Sequence, residues 1–258
     1  MNFRKIQWIF LIIFISLDCF LFYSWKQMNP NINYNNNSSS VIKEMESDSI
    51  SLPKTLSSSE RSGYYLSGDI NNQELINQSK EQVQLTNLGI IGSLRHNISS
   101  INNSVIYKNI VNGSHYKYNK KMSDVLNRKV FLQKTKYGYI FDSTGEIRVR
   151  SLNSYASSYI QNYVYNIKAL REKMPTISEK KALISLYQNN EITNNTKILW
   201  GQFGYSKLLE TNKKYIFIPT WIFALKEKNA NYMVIKRVNA FNGSVIKTSN
   251  STVQVDNN

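Results

Sequence analysis

The longest apolar run comes first. Residues Ile6 to Trp25 read IQWIFLIIFISLDCFLFYSW, 20 residues in all, and a helix of that length crosses a ~30 Å hydrocarbon core. Trp8 and Trp25 stand near its two ends, where indole rings favour the membrane interface. Arg4 and Lys5 precede the run and Lys26 follows it. Cations ahead of a span favour a cytoplasmic amino terminus, so the rest of the chain is expected outside. The competing reading is a cleaved signal peptide. Its apolar region is about 7–15 residues long and ends in a small-x-small site, whereas Phe20-Leu21-Phe22-Tyr23-Ser24-Trp25 is too bulky to be one. Cys19 does not fit a lipoprotein site, because Asp18 precedes it and the apolar run continues beyond. The pattern predicts an uncleaved anchor, with residues 1–5 as a cytoplasmic stub and 6–25 as the transmembrane helix.

Asp18 breaks the apolar pattern just past the centre of the run. A carboxylate there costs ~2.5–3.5 kcal/mol on insertion scales. Desolvation disfavours the charged form of any carboxyl, and a neutral carboxyl both donates and accepts a hydrogen bond. Helical spacings of three, four and seven place Leu11, Phe14, Leu21, Phe22 and Trp25 on the same face. That face is the candidate contact with a neighbouring transmembrane helix. The plainer alternative is that Asp18 snorkels outward or merely weakens the span.

Beyond the anchor the pattern shortens to sheet-like alternation. Asn29 to Ser40, NPNINYNNNSSS, has no apolar period and reads as a flexible spacer within residues 26–49. Residues 50–153 form a first exported subdomain. In it, Gly63 to Gly68 reads as one short strand and Asn119 to Arg128 as a short helix. Tyr137, Tyr139 and Phe141 alternate on one face before the turn Asp142-Ser143-Thr144-Gly145, which predicts a hairpin into Glu146 to Arg150. Residues 154–250 form a second subdomain, and 251–258 a tail. Ser154 to Ile167 is strand-like. Ser178 is a good N-cap for a helix from Glu179 to about Asn189, with Ala182, Leu183, Leu186 and Tyr187 on one side. Strands follow at Lys197–Leu209, Tyr215–Lys226 and Tyr232–Asn239, and Asn242-Gly243 turns into Val245-Ile246. Tyr215–Lys226 is apolar on both alternating faces, as in a strand covered on both sides. Antiparallel sheets with few helices give the class α+β.

Composition narrows the chemistry. Lys+Arg number 32 against Asp+Glu 17, a net charge of +15. Setting aside Arg4, Lys5 and Asp18 lowers this to +14 for the exported part. A basic balance first suggests nucleic acid, but outside a cell the polyanions are lipid headgroups and wall polymers, and nucleic acid is excluded as a partner. No dense Lys/Arg block marks a dedicated patch, and the plain reading is solubility.

The single Cys rules out an intramolecular disulfide and Cys-cluster metal sites. His96 and His115 are the only histidines, and neither has an acid or Cys at motif spacing. Glu44, Glu46 and Asp48 read as a solvated helix face. Gly201-Gln202-Phe203-Gly204 lacks the Lys-Ser/Thr of a phosphate loop. No catalytic residue, metal site or cofactor is expected, and the chain reads as a non-enzyme.

Several segments together carry a resemblance. The opening MNFRKIQWIFLIIFISLDCFLF, Ile50-Ser51-Leu52-Pro53 through Gly68, Ile177-Ser178-Glu179-Lys180-Lys181-Ala182 through Asn190, Tyr215 to Trp221, and Asn239-Ala240-Phe241-Asn242-Gly243 resemble the YycI regulatory-protein family of Gram-positive bacteria. Asn71 to Asn119 matches weakly and has room for an insertion. The resemblance implies a membrane-anchored accessory of a two-component system for cell-wall homeostasis. Its implied partners are the sensor histidine kinase YycG, also called WalK, and a YycH-like protein. It also implies a PepSY-like C-terminal half. The alternative from another class is an exported PepSY-type inhibitor or ligand-binding module acting on a wall hydrolase or protease, which leaves Asp18 idle.

Overall fold

The computed structural model describes residues 3–28, 34–79, 81–211, 214–247 and 252–254. The chain divides into two compact units, Met1–Ser39 and Ser40–Asn258. The first carries helix α1 (Phe3–Met28). Helix α2 (Tyr34–Ser47) follows, so the stretch expected as an irregular spacer is helical from Tyr34 on, while 29–33 lie outside the described residues. Val41 and Met45 of α2 are buried, and Glu44 and Glu46 lie on its exposed side.

The larger unit continues through β1 (Arg61–Gly63), β2 (Leu66–Ile70), α3 (Asn72–Asn77), β3 (Gln84–Thr86) and β4 (Gly89–Leu94). Next come α4 (Asn103–Asn109), β5 (Tyr116–Tyr118), α5 (Lys120–Leu126), β6 (Lys129–Gln133) and β7 (Glu146–Ser151). Then follow β8 (Ser157–Gln161), β9 (Val164–Ala169), β10 (Met174–Thr176) and α6 (Glu179–Gln188). The chain ends through β11 (Thr196–Thr211), β12 (Lys214–Glu227), β13 (Tyr232–Asn239), β14 (Val245–Ile246) and β15 (Thr252–Gln254). The result is a mixed α+β fold of antiparallel sheets.

One sheet has six strands in the order β3-β4-β8-β7-β6-β5, and another has seven, built on β14-β13-β12-β2-β9 with β11 on β12 and β15 on β13. β1 pairs with β10 apart from both. The backbone of the seven-stranded sheet is β12, buried from Phe217 to Leu225. β11 covers one edge of it. Its other edge is shared: β2 takes Lys214–Phe217 and β13 takes Thr220–Leu225. Pro219 stands at the changeover between these two partners, where a missing N–H costs the ladder least.

Helix α6 forms as its sequence predicts. The Ser178 side chain accepts from Lys181 N, and Ala182, Leu183, Ile184 and Leu186 are buried. Each large apolar side chain buried this way stabilises the fold by ~1.5–3 kcal/mol. The Trp221 Nε1–H donates to the Ile177 carbonyl at 2.9 Å, fixing the helix entry over β12. On the six-stranded sheet, Leu94, Phe131, Ile147, Val149 and Tyr159 form a core with Ile106 of α4. On its opposite face Val130 and Leu132 meet Ile222, Ala224 and Ile235 of the other sheet.

Three local expectations are corrected. The hairpin partner of β7 is β6, with Phe131 opposite Ile147, not residues 135–141. Those residues turn instead. Thr135 Oγ1 accepts from the N–H groups of Tyr137 and Gly138, and Gly138 takes φ 143°, a value favoured by glycine. Tyr139 to Phe141 then run beside β11, where Tyr205 N donates to the Tyr139 carbonyl and Phe141 N to the Tyr205 carbonyl. The close approach needs Gly204, because a Cβ there would meet the Phe141 ring at 2.3 Å. Second, Ser154–Ile167 is two strands in different sheets, β8 beside β7 and β9 beside β2. Third, Gly63–Gly68 is the junction of β1 and β2, which likewise join different sheets.

Candidate functional site

Helix α1 supplies the candidate contact. Its apolar stretch Arg4–Ser24 spans 21 residues with mean hydropathy 2.1, long and apolar enough to cross a membrane, and 0% of it is buried in the protein. Asp18 is helical and exposed. Around it Leu11, Phe14, Leu21 and Phe22 are 49–65% exposed. The helix therefore keeps the spacing read from the sequence, with a polar group flanked by aliphatic and aromatic side chains at three, four and seven residues. Trp25 continues the same face, and its side chain lies outside the described residues. Cys19, next along the helix, is a free and exposed thiol.

In water this face is an unfavourable surface. In a bilayer the aliphatic groups face a solvent like themselves. Only Asp18 then retains an unmet need, because its carboxyl finds no water in the hydrocarbon core. A second helix carrying a donor or acceptor at that depth satisfies it.

The sheet unit holds polar features that sequence reasoning did not bring together. His115 Nδ1 and the Tyr163 hydroxyl share a 2.6 Å hydrogen bond with their rings stacked, and Tyr165 packs edge-on against Tyr163 at 4.6 Å. Burial, then the nearby Glu74 carboxylate, pushes the Tyr165 phenol up to about 12. The backbone carbonyl of His96 accepts from Ser157 Oγ at 2.8 Å. Asp48 accepts from the Tyr187 hydroxyl at 2.7 Å, so this acid ties the end of α2 to α6.

A cleft of about 270 Å³ is lined by Asp69, Asn71, Glu74, Tyr165, Asn166 and Lys214. Its polar groups are largely engaged with one another: Asn166 donates to Asp69, and Asn71 donates to Glu74. A second cleft, about 230 Å³, contains the Lys236–Glu191 ion pair at 2.6 Å. Among the described residues no three His, Cys, Asp or Glu side chains gather as a metal site.

Between the two sheets lies a charged group. Glu146 of β7 is buried and ion-paired with Arg148. Burial raises the Glu146 carboxyl above the usual range, and Arg148 opposes that shift without overcoming it. Arg237 of β13 is held below the usual guanidinium range by desolvation, with Asp142 and Glu146 acting the other way. Glu146 and Arg148 are two apart on one strand, but Arg237 joins them only through sheet packing, so no local motif announces the whole group.

Comparison with known proteins places the chain. No curated protein matches it. Among solved structures it is similar to an uncharacterized protein from Eubacterium rectale ATCC 33656. That match has 9% identity and a TM-score of 0.33, and covers 78% of this chain and 89% of that one. So remote a likeness carries no argument about fold or function. The YycI protein family model, by contrast, matches residues 28–241, most of the sheet unit just described, and the chain belongs to that family.

Proposed function

We propose that this chain is a membrane-anchored, non-enzymatic accessory that sets the activity of a sensor histidine kinase of the YycG (WalK) type, acting with a YycH-like protein in cell-wall homeostasis. Membership of the YycI family, a family of regulatory accessory proteins, supports a role as a two-component system regulator. The observation that carries the finer reading is Asp18, a carboxyl set in an apolar, exposed helix face long enough to span a bilayer. A polar group at that depth is costly unless another helix meets it. A kinase with transmembrane helices of its own offers such a helix in the same membrane. Arg4 and Lys5 support an orientation with the amino terminus inside and the sheet unit outside.

The test is to purify membranes bearing a tagged full-length chain in mild detergent and identify what co-purifies. Recovery of a sensor kinase, with or without a second single-pass protein, is the expected result. Recovery of a wall hydrolase or protease in its place overturns the reading in favour of an exported inhibitor.

A further inference from the structure

We propose that an arginine face at the end of β6 and β7 binds successive phosphates of an anionic phosphodiester polymer of the cell wall. The choice of a wall polymer rests on the outward orientation proposed above.

The face follows from strand register. Val130 stands opposite Arg148 and Lys129 opposite Val149, which brings Arg128, one step before β6, opposite Arg150. Residues two apart on a strand point the same way, so Arg128, Arg148 and Arg150 share the face of Val130. On the other side of β7, Ser158 stands opposite Arg150 and its hydroxyl accepts from Arg150 Nε at 3.3 Å. Arg237 approaches from β13, near enough for Arg148 to act on its charge.

Like charges placed opposite one another on a sheet are destabilising, and the compensation here is incomplete. Glu146 is committed to Arg148, and Asp142 Oδ1 accepts from both Thr144 N and Thr144 Oγ1. Arg128 and Arg150 are exposed, and among the described residues neither forms an ion pair. Partial burial, then Arg148, holds Arg128 below the usual guanidinium range. Two exposed guanidiniums without an ion pair, held opposite one another beside Arg148, are suited to an anion.

Guanidinium forks match phosphate oxygens two at a time. Arg128 and Arg150, placed opposite one another across the ladder, lie about 4.5–5.5 Å apart at Cβ, while Arg148 keeps its pair with Glu146. The two exposed forks engage neighbouring phosphates of a chain, whereas an isolated phosphate meets only one of them.

The test uses the full-length chain in phosphatidylcholine nanodiscs and a fluorescent synthetic poly(glycerol phosphate), with Kd measured across salt concentrations. Arg128→Gln and Arg150→Gln should each weaken binding about tenfold and reduce the salt slope by ~0.7. Lys226→Gln, an equal charge change on another strand, should alter Kd less than about twofold. Thermal melts separate binding from folding, because removing repulsion should leave the Tm of both arginine variants equal to or above that of the parent. The proposal is overturned if the double variant binds like the parent, or if Lys226→Gln weakens binding as much. It is also overturned if phosphatidylglycerol vesicles or an oligonucleotide of equal charge bind as tightly as the polymer. Binding is read on purified protein and orientation on intact protoplasts, so failure of one is distinct from failure of the other.

Discussion

Gln133 and Val164 exchange two hydrogen bonds: Gln133 Nε2 donates to the Val164 carbonyl at 2.8 Å, and Val164 N–H donates to Gln133 Oε1 at 3.0 Å. Gln133 ends β6 in the six-stranded sheet, and Val164 opens β9 in the seven-stranded sheet. Both residues are buried. A side-chain amide thus does for the junction of two sheets what a peptide group does inside a ladder.

Replacing that amide should be expensive. Gln133→Leu preserves apolar volume but strands two backbone groups away from water, at about 1–3 kcal/mol each. The expected loss is ~2–6 kcal/mol in urea unfolding of the full-length protein, with the m-value unchanged. A loss under ~0.5 kcal/mol would mean that water or another group replaces the amide.

Glu146 gives a pH signature. Burial raises its folded-state carboxyl above the usual value, with Arg148 opposing. The folded protein then keeps the proton at a pH where the unfolded chain, with Glu near ~4.3, has lost it. Its contribution to stability is therefore full below that value and is lost as pH rises through the raised folded value. The stability of the parent minus that of Glu146→Gln should fall with rising pH through this window. A difference that rises instead would show that the Arg148 pair outweighs burial.

Legibility tracked sequence distance. α6, with its Ser178 cap, and β12, apolar on both faces, are dictated locally and stand where the pattern places them. The partner of β7 was missed because Tyr137, Tyr139 and Phe141 imitate strand alternation, while Thr135 and Gly138 turn the chain. The pairing of β2 with β12 joins Leu66 to Phe217, a register that no local window contains. Asp18 stands out because one carboxyl interrupts an apolar run, and its contact with another helix is the proposal tested below. The arginine face does not stand out locally, since Arg148 and Arg150 come from β7, Arg237 from β13 and Arg128 from the approach to β6.

Orientation has a direct assay. Arg4 and Lys5 lie before the apolar helix, and the proposed orientation rests on that charge bias. Protease added to intact protoplasts should degrade all but a stub of about 25–30 residues, the length of a membrane-crossing helix with its flanks. A protected full-length chain would mean an inverted anchor.

The last prediction isolates Asp18. Interhelical hydrogen bonds in a bilayer are worth about 0.6–2 kcal/mol, which is roughly a 3- to 30-fold change in association at ~1.4 kcal/mol per tenfold. Asp18→Leu makes α1 more apolar, so membrane insertion should hold or improve. Association with the kinase or the YycH-like protein should weaken nonetheless, which separates the contact from mere anchoring. Asp18→Asn should lose less, because an amide also donates and accepts. A membrane two-hybrid assay normalised to protein level compares the three chains. An order of parent, Asn, Leu supports a hydrogen bond made through this side chain. Equal association of Asp18→Leu and the parent would move the interface elsewhere, to the apolar packing of Leu11, Phe14, Leu21 and Phe22 or to the sheet unit. Leu11→Ala and Phe14→Ala would then tell those apart, since only an apolar helix contact is sensitive to both.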